Sequence, residues 1–271
     1  MRNGFGGKQG LISSRSIGKL GIIDRAGSKH GLIRSIGGTD ILAWIDATKV
    51  SNPLNSALTN GTINNVAGTA AIVGTNPPTT IFSTALNSTA YSFFTNQTLK
   101  WNTNFFPANQ QKATIVCCFA IPGTLTNHII FEIGDTGYSN FAGGIVQGAI
   151  QNPSDGNNTS YWSGIGDPGA ADTFFLNVRL QQNKKTCMIS TYDTTTNPDA
   201  IKVAVDGEIL PPAGQLNQNT THSILRTNPA YLGARNNGSA APLNGHISDF
   251  IVITRLLTNA ESQRLSKALN Q

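Results

Sequence analysis

Short apolar runs bounded by turn residues constrain the fold of this chain more than any other feature. Residues 174–180 place an apolar side chain at every second position, which is the period of a β-strand. Residues 201–205 lead into Asp206-Gly207, a two-residue hairpin signal, and residues 208–210 return. This pattern predicts antiparallel strands joined by tight turns.

Further strands are predicted at residues 113–121, 129–133, 187–192 and 246–254. A helix is predicted only at the C-terminus, where Thr258 and Glu261 form a capping box and Leu265, Ala268 and Leu269 form an apolar stripe. We therefore expect an all-β fold: a two-sheet antiparallel jelly-roll sandwich over residues 39–271, with a short C-terminal helix and an extended N-terminal arm over residues 1–38.

The positive charge of the chain is concentrated in this arm. Residues 1–38 hold seven basic residues and one acidic residue, whereas residues 39–271 hold twelve basic and thirteen acidic ones. The arm also repeats a Gly-(Leu/Ile)-Ile unit, each copy followed by an arginine, and such recurrence predicts repeated contacts with a partner. The predicted docking residues are Arg2, Lys8, Leu11, Ile12, Arg15, Ile17, Lys19, Ile22, Ile23, Arg25, Lys29, Leu32, Ile33, Arg34 and Ile36.

Five segments of the body carry a resemblance to a known family. They are Leu42-Ala43-Trp44-Ile45-Asp46-Ala47, Val205-Asp206-Gly207, Tyr231-Leu232-Gly233-Ala234-Arg235, residues 243–252 (LNGHISDFIV) and residues 254–261 (TRLLTNAE). In this order they resemble the concanavalin A-like jelly rolls of the laminin G-like and pentraxin-like branch. With the added arm, the architecture resembles virion components of tailed bacteriophages.

The resemblance implies a non-enzymatic virion structural protein, made in the host cytoplasm without a secretion signal. The arm would anchor it to capsid or tail proteins, and the jelly roll would be displayed as a decoration, cement or fibre-like domain. We also expect a homo-oligomer and no membrane contact, because no apolar run is long enough to span a bilayer.

Catalytic motifs are missing from the sequence. Only three glutamates occur, Glu132, Glu208 and Glu261, and none forms the paired-carboxylate strand motif of the glucanases in this superfamily. No cofactor is therefore expected. The family analogy leaves calcium open, with Asp135, Asp155 and Asp167 in predicted loops, but without spacing typical of a calcium loop.

Glycan binding is an alternative function, because lectin sites combine an aromatic platform with convergent amides. Tyr161 and Trp162 follow a polar loop, and Arg235, Asn236 and Asn237 supply polar groups. A further alternative is a jelly-roll capsid protein whose arm contacts nucleic acid, although the cations are spaced by apolar pairs and not clustered.

The three cysteines lack the spacing of a disulfide framework and are expected to be small buried side chains. Cys117 and Cys118 are neighbours on a predicted strand, so their side chains should point to opposite faces.

Overall fold

The computed structural model describes residues 28–49, 51–101, 104–124, 126–133, 145–152, 158–167, 170–196, 200–211, 214–216, 225, 229–234 and 241–270. These residues form two antiparallel sheets that pack face to face, with two α-helices on the outer face of the larger sheet. The predicted two-sheet sandwich is confirmed. The docking residues predicted at positions 2–25 lie outside the described residues.

Ten of the described strands form the larger sheet. Its main path runs through β15 (Glu208–Leu210), β14 (Ala200–Val205), β13 (Thr186–Asp193), β8 (Lys112–Ala120), β18 (Gly245–Ile253), β6 (Ser88–Phe93), β5 (Thr79–Ser83) and β2 (Ser56–Ala57). β1 (Ile41–Asp46) continues the sheet beside the second half of β18 and pairs in turn with β3 (Asn65–Gly68).

Eight of the described strands form the second sheet. In spatial order they are β16 (Gly214–Leu216), β12 (Ala170–Arg179), β11 (Asn158–Asp167), β10 (Ile145–Asn152), β9 (His128–Ile133), β17 (Ala230–Leu232), β7 (Leu99–Trp101) and β4 (Ile72–Val73). The core between the sheets includes a group of contacting aromatic rings, contributed by Trp101, Phe105, Phe131 and Phe250.

The strands predicted from periodicity are confirmed to within a few residues. Val205 pairs with Glu208 across the Asp206-Gly207 turn, as the hairpin signal predicts. Cys117 faces the core between the sheets, while Cys118 faces the helices. Strict alternation on β8 thus places two adjacent thiols in two different cores.

The predicted C-terminal helix is α2 (Asn259–Leu269), and its capping box is present. The Thr258 side chain accepts a hydrogen bond from the Glu261 amide, and the Glu261 side chain accepts one from the Thr258 amide. Arg255 adds two hydrogen bonds to the same carboxylate, at 2.8 and 3.1 Å. The bond from Arg255 contributes most to holding the pKa of Glu261 at about 2.

The segment next to the predicted domain boundary differs from the expectation. Residues 29–37 are not extended: they form helix α1 (Lys29–Gly37), with Ser28 as its N-cap. Gly38, at a φ of 54°, ends the helix in a backbone conformation that side chains disfavour. The folded body therefore begins by Ser28 and not at residue 39.

Packing against the body explains why this glycine-containing segment is helical. Leu32, Ile33 and Ile36 are buried against Trp44 and share a cluster with Leu265 of α2. Tertiary packing of an apolar face outweighs weak intrinsic helix propensity.

The predicted role of five arm residues is corrected in part by this packing. All five contact the chain's own body: Leu32, Ile33 and Ile36 through the apolar cluster, Lys29 through ion pairs, and Arg34 through the ring of Trp44. The three apolar side chains are buried by these contacts, whereas partner docking by Lys29 and Arg34 stays a prediction.

Candidate functional site

The outer face of the larger sheet is covered unequally. The two helices cover the part built from β1, β8, β13 and the second half of β18. Beside β5 and β6, at the start of β18, a polar patch surrounds a half-exposed phenylalanine. We name it the Phe94 patch, and it consists of Ser83, Phe94, Thr95, Gln97, Asn244 and His246.

The aromatic centre of the patch is formed by two rings set edge to face. The Phe94 side chain is 46% exposed, and its ring lies 6.1 Å from that of His246 at an interplanar angle of 79°. Alternation places both rings outside: Phe93 and Ile247, the neighbours along the chain, face the core between the sheets. The exposed ring therefore packs against a second ring, which is carried by strand β18.

A hydrogen bond holds the lower ring. Ser83 Oγ lies 2.9 Å from His246 Nδ1, and the same oxygen accepts a bond from the Leu86 amide. Burial lowers the pKa of His246. The imidazole is therefore neutral at pH 7, and no side chain of the Phe94 patch carries a charge there.

Two side-chain amides border the exposed ring. Gln97 Oε1 accepts a hydrogen bond of 2.7 Å from the Phe94 amide, and Asn244 Oδ1 accepts one of 3.3 Å from the Thr95 amide. Each carbonyl oxygen thus fixes a backbone amide. The NH₂ group of each side chain is the end that remains for a ligand.

Four of the ten described non-glycine residues with positive φ lie in or near the segments that form the Phe94 patch. Thr95, Asn96, Ala241 and Asn244 have φ values of 30°, 64°, 43° and 45°. A β-branched residue at positive φ is an outlier, and such conformations persist where the surrounding structure enforces them, often at binding sites.

The sequence-based glycan site is not the Phe94 patch. Trp162 is fully buried and Tyr161 is 3% exposed, so neither can serve as a platform for a sugar. Tyr161 faces the core between the sheets, where its hydroxyl lies 3.0 Å from Thr186 Oγ1. The prediction that these two rings bind a glycan is wrong, because β11 is an interior strand whose two faces are both covered there. Arg235, Asn236 and Asn237 lie outside the described residues.

Sequence reasoning missed Phe94 because no local signal separates it from the core residues beside it. Phe93 and Phe94 are adjacent and chemically identical, yet one is 1% exposed and the other 46%. The turn residues Asn96 and Asn244 are the only hint in the sequence, and they are 148 positions apart.

A second polar cluster lies beneath helix α1. Lys29 Nζ is 2.8 Å from Asp249 Oδ1 and 3.1 Å from Asp46 Oδ2, and Asp46 and Asp249 face each other across β1 and β18. His30 Nε2 lies 2.5 Å from Asp46 Oδ2, and Thr48 donates to Asp46 Oδ1 through its amide and its hydroxyl. We name these five residues the α1 charge cluster.

Burial and the positive charge act in opposite directions within the α1 charge cluster. Burial raises the pKa of Asp249 above its usual range. Burial also acts to raise the pKa of Asp46, but the charge of Lys29 and the bonds from Thr48 and His30 outweigh it and lower that pKa. The two carboxylates are almost fully buried, and their contacts connect α1 to the sheet. The cluster therefore acts as an anchor for α1.

The described residues contain no group of three or more His, Cys, Asp or Glu side chains suited to a metal ion. Of the proposed calcium ligands, Asp135 and Asp155 lie outside the described residues, and Asp167 is the last residue of β11. Calcium binding stays a prediction. Within the described part of the chain, no helix is long and apolar enough to cross a membrane.

Comparison with known proteins adds to the description of the fold. No family model matches the chain, and no curated protein matches its sequence. A solved receptor binding domain matches with a TM-score of 0.57 and 13% identity, over 88% of this chain and 53% of the other. Botulinum neurotoxin type C matches with a TM-score of 0.57 and 12% identity, over 88% and 53% of the two chains.

The sialidase of Trypanosoma rangeli matches with a TM-score of 0.54 and 12% identity, over 86% of this chain and 33% of the enzyme. The chain thus spans about half or less of each of these structures. At such low identity the likeness shows a shared β-sandwich and nothing finer. The concanavalin A-like family and the tailed-phage origin stay predictions.

Proposed function

We propose that this chain is a non-catalytic β-sandwich that binds glycans through the Phe94 patch. The observation that carries the proposal is the half-exposed Phe94 ring, supported edge to face by His246 and bordered by the amides of Gln97 and Asn244. The apolar face of a sugar ring stacks on an aromatic side chain, while its hydroxyls need neutral donors and acceptors.

The charge of the patch favours a particular class of ligand. Its side chains are uncharged at neutral pH, because burial lowers the pKa of His246. We therefore expect the contacted sugar face to be uncharged, with hydroxyls bound by the amide NH₂ groups of Gln97 and Asn244. Charged sugars can lie elsewhere in the same oligosaccharide.

The structural matches are compatible with this proposal. Botulinum neurotoxin type C depends on interaction with two ganglioside molecules to enter cells, and the Trypanosoma rangeli protein is a sialidase. Both include a sandwich comparable with this one within a longer chain. Extending glycan recognition from them to this chain is part of the proposal.

A glycan array that includes neutral and sialylated oligosaccharides tests the proposal. The full chain should bind a subset of neutral termini, and Phe94→Ala should weaken that binding at least about tenfold, because the stacking surface is lost. Phe82→Ala is the matched control: Phe82 is 54% exposed on the neighbouring strand β5 and lies outside the patch. Equal binding by the Phe94→Ala and Phe82→Ala variants would refute the assigned site.

The Asn244→Gly variant distinguishes the contribution of the side-chain amide to binding from that of the backbone conformation. Glycine tolerates the φ of 45° found at this position, so the loop can keep its path while the side-chain NH₂ is removed. We expect weaker glycan binding with an unchanged circular dichroism spectrum. If the parent chain bound no glycan on the array, at low or high salt, the function itself would be disproved.

The N-terminal charge favours a second candidate role, which is attachment to a virion. Residues 1–27 hold five basic residues and one acidic residue, together with two of the three Gly-(Leu/Ile)-Ile units. We propose that this segment anchors the sandwich to capsid or tail proteins and that the Phe94 patch faces outward. The full chain should then co-sediment with virus particles from the same source, and a chain that begins at residue 28 should not. Co-sedimentation of both would rule out the anchor.

A further inference from the structure

Two of the three cysteines lie directly opposite each other in the larger sheet. Cys118 of β8 and Cys187 of β13 are register partners in an antiparallel pair, although 68 residues separate them in sequence. Directly opposite side chains lie on the same face of a sheet. Here that face is the helix-covered one, and both cysteines are buried in the same cluster as Leu265 and Leu269 of α2.

The backbone hydrogen bonds show which kind of pair this is. The Cys187 carbonyl accepts a bond of 2.9 Å from the Asp206 amide, and the Cys187 amide donates one of 2.8 Å to Asp206 Oδ1. Both backbone groups of Cys187 therefore point away from β8, toward the β14 hairpin. The Cys118–Cys187 pair is consequently a non-hydrogen-bonded pair.

Non-hydrogen-bonded pairs bring side chains closer together than hydrogen-bonded ones. Their Cα atoms are about 4.5 Å apart, against about 5.5 Å for the alternate pairs. Disulfides join Cα atoms separated by about 4.4 to 6.8 Å. The Cα separation typical of such a pair therefore falls within the range that disulfides span, at its lower end.

The pKa of the Cys118 thiol agrees with this placement. Burial and, after it, the hydrogen bond with the Cys187 thiol raise the pKa of the Cys118 thiol. Cys117 is the built-in contrast, because it pairs with Met188 in register and points into the core between the sheets. It has no cysteine opposite it on either neighbouring strand.

We propose that Cys118 and Cys187 are an oxidation site at which a cross-strand disulfide joins β8 to β13. The oxidant is a small disulfide such as oxidised glutathione. One cysteine thiolate attacks it and releases one glutathione thiol, and the second cysteine thiolate then displaces the other. Each cysteine loses its proton to solvent, one sulfur–sulfur bond forms as another breaks, and the two electrons reduce glutathione.

Burial determines when this reaction takes place. Both thiols are fully buried, and burial keeps the Cys118 thiol protonated and inaccessible in the native state. The disulfide therefore forms while the chain folds, or when β8 and β13 separate. The folded, reduced protein should react slowly with thiol reagents.

Refolding with a redox buffer tests the proposal. The full chain is unfolded in urea with reductant, refolded with reduced and oxidised glutathione, alkylated under denaturing conditions and weighed by mass spectrometry. We expect one alkylated cysteine per chain, where protein kept in reductant shows all three. The oxidised protein should also unfold at higher urea concentration than the reduced one.

Serine variants identify the partners, because Cys117 and Cys118 are adjacent and peptide mapping cannot separate them easily. Cys117→Ser should form the cross-link and end with no alkylated cysteine. Cys118→Ser and Cys187→Ser should each leave two alkylated cysteines. Three alkylated cysteines in refolded, natively folded parent protein would overturn the proposal, as would a cross-link that survives Cys187→Ser.

Discussion

Replacing Lys29 by methionine should expose how strongly helix α1 is anchored by charge. Methionine keeps most of the apolar stem but removes the ammonium group, which lies within 3.1 Å of two buried carboxylates. Removing one partner of a buried ion pair costs about 3–5 kcal/mol, because the remaining charge is left without compensation.

Proton uptake sets an upper limit on this cost. Protonating a carboxyl group with the ordinary pKa of 3.8 costs a free energy of about 4 kcal/mol at pH 7 and about 1 kcal/mol at pH 4.5. A buried carboxylate that has lost its partner can take up a proton at this cost, so the loss of stability cannot exceed it. His30 and Thr48 still bind Asp46 in the variant. We therefore expect the free energy of unfolding to fall by about 3 kcal/mol at pH 7 and by no more than about 1 kcal/mol at pH 4.5.

Urea denaturation followed by tryptophan fluorescence at both pH values measures these losses. Asp46 itself changes little between these two pH values: its pKa is lowered in the fold, so its contribution is present above the unfolded pKa and is lost only as the pH falls below it. Lys29→Met combined with Asp249→Asn should recover much of the stability at pH 7. Equal losses at both pH values would refute the electrostatic reasoning and assign the effect to packing.

Three further substitutions test the packing. Ile33→Ala should lower the free energy of unfolding by about 3 kcal/mol, because Ile33 is fully buried; a segment that docked only on a partner would show no change. Trp162→Ala should lower the free energy of unfolding by about 3–5 kcal/mol in urea denaturation, because Trp162 is fully buried. A loss of glycan binding at unchanged stability would instead show that Trp162 is a binding residue. Gly233→Ala should lower the free energy of unfolding by about 3 kcal/mol, because a Cβ at its φ of 98° would lie 2.2 Å from the buried Phe93 ring. An unchanged urea midpoint would show that the turn can relax.

The strands of the sandwich could be predicted because their signals are local. Alternating side chains, the Asp206-Gly207 turn and the Thr258–Glu261 capping box each lie within a few residues of one another, and each predicts one element. Helix α1 could not be predicted in this way. Its glycines disfavour a free helix, and its stability comes from contacts with Trp44 and α2, which local patterns do not contain.

The candidate site also could be predicted only in part from local sequence patterns. The sequence indicated that an aromatic platform with amides was a plausible chemistry for a jelly roll, but it selected Trp162, which is buried. The Phe94 patch depends on residues from three separate segments, and only the pairing of β18 with β6 brings Asn244 next to Thr95.

The sequence by itself determined the fold class, the hairpin, the C-terminal helix and the concentration of positive charge before residue 39. Tertiary structure alone decided that residues 29–37 belong to the body, that Phe94 is exposed and Trp162 is not, and that Cys118 lies opposite Cys187. The physical reason is one of range. Periodicity and turns act between near neighbours, whereas burial and register are set by strands that meet across long stretches of chain.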